Sequence, residues 1–296
     1  MLDVTIVGAG PAGLSAALVL GRCLRRVVVL DAGERRNARS RHMHNYPTRD
    51  GLAPSRYIAL ALREVEAVGV RVLKEAATHA ERVDRRFRVT TDSGRVLESR
   101  RLLIATGVRD VLPEISGLRD CYGITVHHCP YCDAHQYAGR PLAAFGEGDA
   151  AVGLALNLRT WTKRVVACSH GVAPSEKMLA RAERNGIRVR TERVTGLEHE
   201  RGRMTRLCLE SGRAERVDAL FFNTGQVQRS GLAAQLGCTF REDGGVKTSD
   251  RQCTTIKGLY LAGDADKDVQ FVVVAAAEGA TAAVAINREL QDEERA

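Results

Sequence analysis

The stretch Val4-Thr5-Ile6-Val7-Gly8-Ala9-Gly10-Pro11-Ala12-Gly13 decides the fold. Its first four residues are β-branched or apolar and read as a buried strand. Gly8, Gly10 and Gly13 follow at the spacing of a dinucleotide cradle. They supply a tight turn, close backbone approach to a pyrophosphate, and close helix–strand packing. Pro11 suits the first helical position, where a missing N–H costs nothing. A helix over 14–20 then aims its positive end and free N–H groups at phosphates. The next strand, 27–30, ends on Asp31, eighteen residues past Gly13. An acid there accepts hydrogen bonds from the ribose of an adenosine. Ala12 belongs to the cradle and Ala32 follows the acid.

Outward from this unit the chain becomes polar and Arg-rich, through Arg35, Arg36, Asn37, Arg39 and Arg41 to His44. The run either wraps the rest of a dinucleotide, with Asn37 and His44 as candidates, or forms a solvated loop. Helix signals return over 54–68, where Ile58, Leu62, Val65 and Val68 share a face.

The first half recurs in the middle of the chain. An offset of 138 carries Gly8, Gly10 and Gly13 onto Gly146, Gly148 and Ala151, behind the apolar run 142–145. Gly69-Val70-Arg71-Val72 returns as Gly186-Ile187-Arg188-Val189. Asp92-Ser93-Gly94 returns as Glu210-Ser211-Gly212. Leu103-Ile104-Ala105-Thr106-Gly107 returns as Leu220-Phe221-Phe222-Asn223-Thr224-Gly225. Matches in one order imply two dinucleotide-binding units of similar plan. The same offset carries Asp31 onto Ser169, so the second cradle offers no acid to a ribose and no Arg pair to a phosphate. Arg159, Lys163 and Arg164 are the nearby cations that stand as substitutes.

Cys129-Pro130-Tyr131-Cys132-Asp133 lies between the two copies. Cysteines at this spacing close a small disulfide and reopen as a dithiol, which is two-electron chemistry. A free thiol is only a few per cent thiolate near neutrality. Exchange therefore needs a proton acceptor, and Asp133 is the candidate. His127, His128 and His135 flank the pair. A mixed zinc site of His128, Cys129, Cys132 and His135 is the rival. The adjacency of His128 and Cys129 and the lack of a second CxxC speak against it, and no metal is expected.

Near the C-terminus a strand over 259–262 ends at Gly263-Asp264, a carboxylate suited to a polyol. The helix over 272–290 begins just past Gln270 and Phe271. Its positive end suits a site where a reduced flavin gathers negative charge.

The 296 residues, 44% hydrophobic, suffice for two domains. No apolar run reaches the length of a membrane span, and no signal peptide is read at Met1-Leu2-Asp3. The eight cysteines include one motif pair, so the other six are expected as reduced thiols of a cytoplasmic protein. The formal charge of +8 comes from thinly spread arginines. With no basic block interleaved with aromatics, it does not indicate nucleic-acid binding. It reads as a solvated basic surface, or one that attracts an acidic partner.

The glycine motif, the Ala105-Thr106-Gly107 segment, the CxxCD, the second glycine motif and Gly263-Asp264 occur in the order seen in low-molecular-weight thioredoxin reductases, which the whole chain resembles. The resemblance implies an α/β fold of two Rossmann-like dinucleotide-binding domains of three-layer ββα type, the second inserted into the first. Residues 1–110 and 228–296 would form the FAD-binding domain. Residues 111–227 would form an NAD(P)-binding-like domain carrying the CxxC. The resemblance also implies a homodimer and a rotation between domains. It makes Cys132 the flavin-facing sulfur, Cys129 the attacking sulfur and Asp133 the acid–base residue. FAD would be held by Gly8, Gly10, Pro11, Ala12, Gly13, Asp31, Ala32, Asn37, His44, Ala105, Thr106, Gly107, Gly263, Asp264, Gln270 and Phe271. The implied partner is a thioredoxin-like protein or a small-molecule dithiol or disulfide.

Two departures bear on the electron donor. The HRRxxFR run that grips NADPH in that family would begin near His170, where the chain reads Ser169-His170-Gly171-Val172-Ala173. Gly153-Leu154 replaces an acidic pair. NADPH is therefore left open, with Gly146, Gly148 and Ala151 as its candidate site. The Cys-Pro-Tyr-Cys with a preceding His is similar to dithiol oxidases of the holomycin and gliotoxin type, which pass electrons to dioxygen. Those tend to carry His after the second Cys, where this chain keeps Asp133. Related reductases take electrons from ferredoxin or another donor.

Overall fold

The computed structural model describes residues 1–266 and 269–296. Each apolar run named above becomes a buried strand. In chain order the first unit supplies β1 (Leu2–Val7), α1 (Pro11–Arg22), β2 (Val27–Leu30), α2 (Pro54–Ala67) and β3 (Arg71–Leu73). Then come β4 (Ala77–Val83), β5 (Arg86–Thr91), β6 (Val96–Ile104) and the connecting strand β7 (Val108–Asp110). The second unit opens with α3 (Leu118–Cys121), β8 (Val126–His127), α4 (Pro130–Asp133), β9 (Leu142–Phe145), α5 (Asp149–Leu158) and β10 (Val165–Cys168). It continues with α6 (Glu176–Arg184), β11 (Arg188–Arg190), β12 (Val194–Glu200), β13 (Arg203–Leu209), β14 (Ala214–Glu215) and β15 (Ala219–Phe222). The chain returns through β16 (Gln226–Gln228) to α7 (Leu232–Gln235), β17 (Leu259–Leu261) and α8 (Val272–Arg295).

Two compact units result. One comprises Met1–Ala38, Asn45–Arg109 and Val227–Ala296. The other comprises Arg39–His44 and Asp110–Gln226. The connecting strands β7 and β16 pair as a two-stranded sheet.

The first unit is built on a seven-stranded sheet in the order β3-β2-β1-β6-β5-β4. β6 is long enough to serve two neighbours on one side. Its start pairs antiparallel with β5 and its last three residues pair parallel with β17. Val7 lies opposite Leu30 and Ile104, and Ile104 opposite Leu261. The carboxyl ends of four parallel strands therefore meet on one edge, where α/β sheets bind ligands. The alanine-rich faces of α1 and α8, with Ile58 and Val65 of α2, pack around Val4, Ile6, Val29 and Tyr260.

The second unit repeats the plan with a parallel sheet in the order β11-β10-β9-β15-β8 and a three-stranded sheet β12-β13-β14. The sequence echoes fall on matching places. Gly69 and Gly186 both take positive φ after α2 and α6. Gly94 and Gly212 do so in the turns leaving β5 and β13, and Gly107 and Gly225 do so past β6 and β15. β8 takes beside β15 the position that β17 takes beside β6.

The C-terminal helix runs past the expected 290 to Arg295. Its polar last turn is held by ion pairs. Arg101, 5% exposed, reaches Glu289 at 2.9 Å and also Glu293. Glu294 meets Arg25 at 2.6 Å and Arg100 at 2.8 Å. Several arginines read as solvated charge are thus partners in this network. No helix among the described residues is long and apolar enough to cross a membrane.

Asp3 opens β1 with a carboxylate 7% exposed. Burial pushes its pKa up, but hydrogen bonds from the Arg26 backbone (2.9 Å) and guanidinium (3.2 Å) outweigh it and hold the group low. A lowered folded pKa contributes stability above the unfolded value near 3.9 and loses it as pH falls through the folded one. Asp3→Asn is therefore expected to cost about 1.5–3 kcal/mol at neutral pH. The difference should close in acid, as read by urea unfolding at two pH values.

Candidate functional site

The first site is the edge where β1, β2, β6 and β17 end. Gly8 has φ +112°, and a Cβ there would lie 2.3 Å from the Ala105 carbonyl oxygen. A Cβ on Gly13 would lie 1.9 Å from the Gly8 carbonyl oxygen. Internal packing requires both glycines. Gly10 is different, since a Cβ there meets nothing within 4 Å. Its smallness leaves open space over the start of α1. That helix begins with Pro11 and has no side-chain hydrogen bond at its N-cap, so its first N–H groups are available to a phosphate.

Asp31 ends β2 as expected and is half-buried. It accepts hydrogen bonds from the Gly33 N–H at 2.9 Å and from Arg35 at 2.5 Å. Beside it opens a cavity of about 560 Å³, lined by Asp31, Ala32, Asn37, Ile58, Leu62 and the 74–76 segment among others. Its apolar wall and edge acid match the needs of an adenosine. On the other side of β1, the β6 end places Ala105 against Gly8, and the Cβ of Asp264 is 3.8 Å from the Cβ position of Gly107. Gly263 has φ +83° and donates its N–H to Glu278 on α8 at 2.6 Å. Gln270 and Phe271 precede α8, with Phe271 at its N-cap.

Arg36 was not singled out in the sequence, yet it gathers this end of the edge. One guanidinium nitrogen donates to Asp264 Oδ2 and to Gln270 Oε1, each at 2.7 Å. No spacing rule links positions 36, 264 and 270, so only the fold reveals it. His44 belongs to the other unit. The segment Arg39–His44 groups with the second unit, where His44 Nε2 is 3.3 Å from Gln136 Nε2. Taken together, the edge fits a dinucleotide cofactor such as FAD, with phosphates over Gly10, adenosine by Asp31 and a polyol by Asp264.

The second site is the disulfide Cys129–Cys132, whose Cα atoms are 5.3 Å apart. Cys129 is the N-cap of α4, and its Sγ accepts from the Cys132 N–H at 3.1 Å. An N–H donor on that sulfur favours its thiolate. Tyr131, between the sulfurs, is 61% exposed and stands edge-on to Trp161 at 5.6 Å. Asp133 closes α4 with its carboxylate 3.4 Å from His127 Nδ1. His127 is buried at the end of β8, and its other nitrogen lies 3.1 Å from the Tyr137 hydroxyl. His128 instead turns to Asp110 (3.6 Å) and Tyr122 (3.3 Å), which bond each other at 2.8 Å. His135 is exposed. Among the described residues no group of three or more His, Cys, Asp or Glu is arranged to hold a metal ion. Sequence inspection passed over Tyr137 and Asp110. Tyr137 carried a faint signal, four residues past Asp133 with a helical turn between them.

The third place is the second cradle. Gly148 has φ +52°, and the Val172 side chain lies 3.2 Å from its Cβ position. Asp149, first in α5, is taken up by the Ser175 N–H (2.6 Å) and hydroxyl (2.9 Å). Ser169 is fully buried, and His170 tucks its ring 5.0 Å from Phe145 while accepting from the Val194 N–H at 3.1 Å. Arg188 and Arg190 are bound to Glu215 at 3.1 and 2.7 Å. Arg159, Lys163 and Arg164 follow the far end of the ten-residue α5, about 15 Å of helix away from Gly148. They are too distant to replace a ribose-binding acid. The loop that would grip a pyridine nucleotide buries Ser169, exposes Gly171, Val172 and Ala173, and carries neither an acid nor a cation pair of its own, so these residues do not fit that cofactor as the first cradle fits FAD.

The sequence family described as pyridine nucleotide-disulphide oxidoreductase matches residues 2–279. The thioredoxin reductase sirT of Leptosphaeria maculans is 29% identical, over 97% of this chain and 94% of that one. The thioredoxin reductase tcpT of Claviceps purpurea is 30% identical, over 89% and 86%. Among solved structures, HlmI superposes with a TM-score of 0.96 at 35% identity, covering 99% of this chain and 93% of that one. A putative thioredoxin reductase, TrxB from Bacillus anthracis, gives 0.95 at 28%, covering 99% and 100%. With the two dinucleotide-binding plans, the CxxC disulfide and a match over nearly its whole length, the chain belongs to the pyridine nucleotide-disulphide oxidoreductase family, as a thioredoxin reductase-like flavoenzyme acting on sulfur groups.

Proposed function

We propose that the protein exchanges two electrons between FAD, the Cys129–Cys132 pair and a partner disulfide or dithiol. The observation that carries this reading is the disulfide with Asp133 beside it in one unit, together with a fitting FAD cradle in the other. FAD, when bound, supplies the two-electron acceptor and donor. The chain's own residues supply binding and proton handling. Gly8, Gly10, Gly13 and the start of α1 hold the pyrophosphate. Asp31 holds the adenosine ribose, and Asp264, fixed by Arg36, holds the ribityl end. Cys129, with the Cys132 N–H on its sulfur, attacks the partner, while Cys132 is the sulfur that serves the flavin. Asp133 moves the proton. The partner is a thioredoxin-like protein or a small dithiol or disulfide, and the working form is a cytoplasmic homodimer, as the family resemblance implies.

A second reading concerns direction. The 169–173 loop, which has no acid or arginine of its own, favours a donor other than NADPH, and this supports oxidation of a small dithiol with dioxygen as final acceptor. Anaerobic mixing separates the two. Rapid bleaching of the flavin by NADPH supports the reductase. Bleaching by a small dithiol, with NADPH inert, supports the oxidase. A flavin that neither reagent bleaches removes the proposal.

A further inference from the structure

We propose that His127 is a positioning residue that shares one proton with Asp133, so that the pair, rather than the aspartate alone, stores the proton used in thiol–disulfide exchange. The inference rests on the reading of Cys129–Cys132 as redox-active, and concerns what that chemistry needs beyond the aspartate.

The argument is one of hydrogen accounting. Tyr137 Oη donates its single hydrogen to the Ile124 carbonyl oxygen at 2.9 Å, and a carbonyl can only accept. His127 Nε2, 3.1 Å from the same Oη, must therefore be the donor of that contact. The other ring nitrogen, Nδ1, lies 3.4 Å from Asp133 Oδ2. In a neutral ring with hydrogen on Nε2, Nδ1 presents a lone pair to a carboxylate. In the other neutral tautomer, Nδ1 is satisfied but Tyr137 faces two acceptors with one hydrogen. With hydrogen on Nε2, the Nδ1 lone pair faces the carboxylate at an ion-pair separation of 3.4 Å, and one further proton on the ring or on the carboxyl turns that approach from repulsive to attractive. The ring is buried, with its side chain 7% exposed, and packs against Phe221 at 5.4 Å and Tyr137 at 5.6 Å, which limits its escape from this choice. Burial and then the Asp133 charge push the Tyr137 phenol up to about 12, so it keeps its hydrogen at working pH. The charges facing this group from other segments are Arg140, Arg203 and Asp218. Cys132 shares α4 with Asp133, Cys129 is its N-cap, and β15 packs Phe221 against the ring.

The chemistry balances as follows. Cys129 thiolate attacks a partner disulfide, forming one S–S bond and breaking another, and the leaving thiolate takes the pair's proton. The emptied pair then accepts the Cys132 proton as Cys132 Sγ attacks Cys129 Sγ. The mixed disulfide breaks, and the second partner thiolate leaves with that proton. The partner gains two electrons and two protons, and Cys129–Cys132 becomes the disulfide. The reverse sequence serves a dithiol substrate with the same pair.

The test is stopped-flow exchange of the reduced holoprotein with two disulfides. A nitroaryl disulfide releases a thiolate that needs no proton. Hydroxyethyl disulfide releases a basic alkyl thiolate that does. His127→Asn should slow the alkyl reaction by about 100-fold and leave the nitroaryl reaction within about threefold. Tyr137→Phe should show the same discrimination, because the ring then adopts the other tautomer without an extra proton. Equal slowing of both disulfides, or no slowing of either, in folded variants with full flavin overturns the pairing alone. A wild-type protein inert to both disulfides overturns the redox reading itself, and the pairing with it.

Discussion

Cys132→Ser is expected to lower turnover by about 1000-fold or more while leaving flavin content unchanged. A serine oxygen cannot close the bond that spans 129 and 132, so the two-electron store is lost. Cys129 keeps its N-cap place and its backbone N–H donor, so it still attacks a disulfide partner, but the mixed disulfide has no resolving thiol. The variant should accumulate that adduct, visible by mass spectrometry as one partner per chain. Four of the other thiols offer no rescue. Cys168 is fully buried, and desolvation pushes it up to about 12. Burial also raises Cys121, Cys208 and Cys238. Thiols so raised are poorly populated as nucleophiles. Near-wild-type turnover in Cys132→Ser, with one flavin per chain, would contradict the proposed route.

Gly279→Ala is expected to be severely damaging although it adds only one methyl. Its Cβ would lie 2.0 Å from the Ala12 carbonyl oxygen and 2.8 Å from the Ala12 carbonyl carbon. Backbone cannot swing aside as a side chain can, so α8 must lift from α1 just behind the glycine cradle. Overpacking of this kind costs about 3 kcal/mol, and the displaced α1 start should release flavin. Gly153→Ala is the matched control. It is also a mid-helix glycine, but its new methyl meets nothing within 4 Å. It should stabilise by about 0.5–1 kcal/mol. Flavin per chain and melting temperature check both. Full flavin and an unchanged melting temperature in Gly279→Ala would refute the packing argument.

Local chemistry explains which features could be read from the chain. The strand–turn–helix around Gly8 to Gly13 announces itself because backbone conformation and glycine spacing are sequence-near. The same holds for the echoes at Gly69, Gly94 and Gly107, each a positive-φ position with a counterpart in the second unit. The CxxC is equally local. Contacts that close over long sequence separations were hidden. Arg36 reaches Asp264 across 228 positions. The pairing of β17 with β6 depends on the length of β6, which only the assembled sheet reveals. The His127–Asp133–Tyr137 arrangement needs β8 and the turn after α4 to meet. The charged tail after 290 continues a helix because Arg25, Arg100 and Arg101 wait elsewhere for its acids. The loop at 169–173 lacked a recognisable grip in sequence, but the approach of the Val172 side chain to Gly148 was visible only in three dimensions.

The seat of Gly279 against Ala12 also sets a timetable for biosynthesis. The cradle leaves the ribosome long before α8, the helix that backs it. At roughly 5–20 residues per second, about 15 to 60 s separate the two. Throughout that interval the nascent chain carries a half-walled cradle, so cofactor loading must await the emergence of α8.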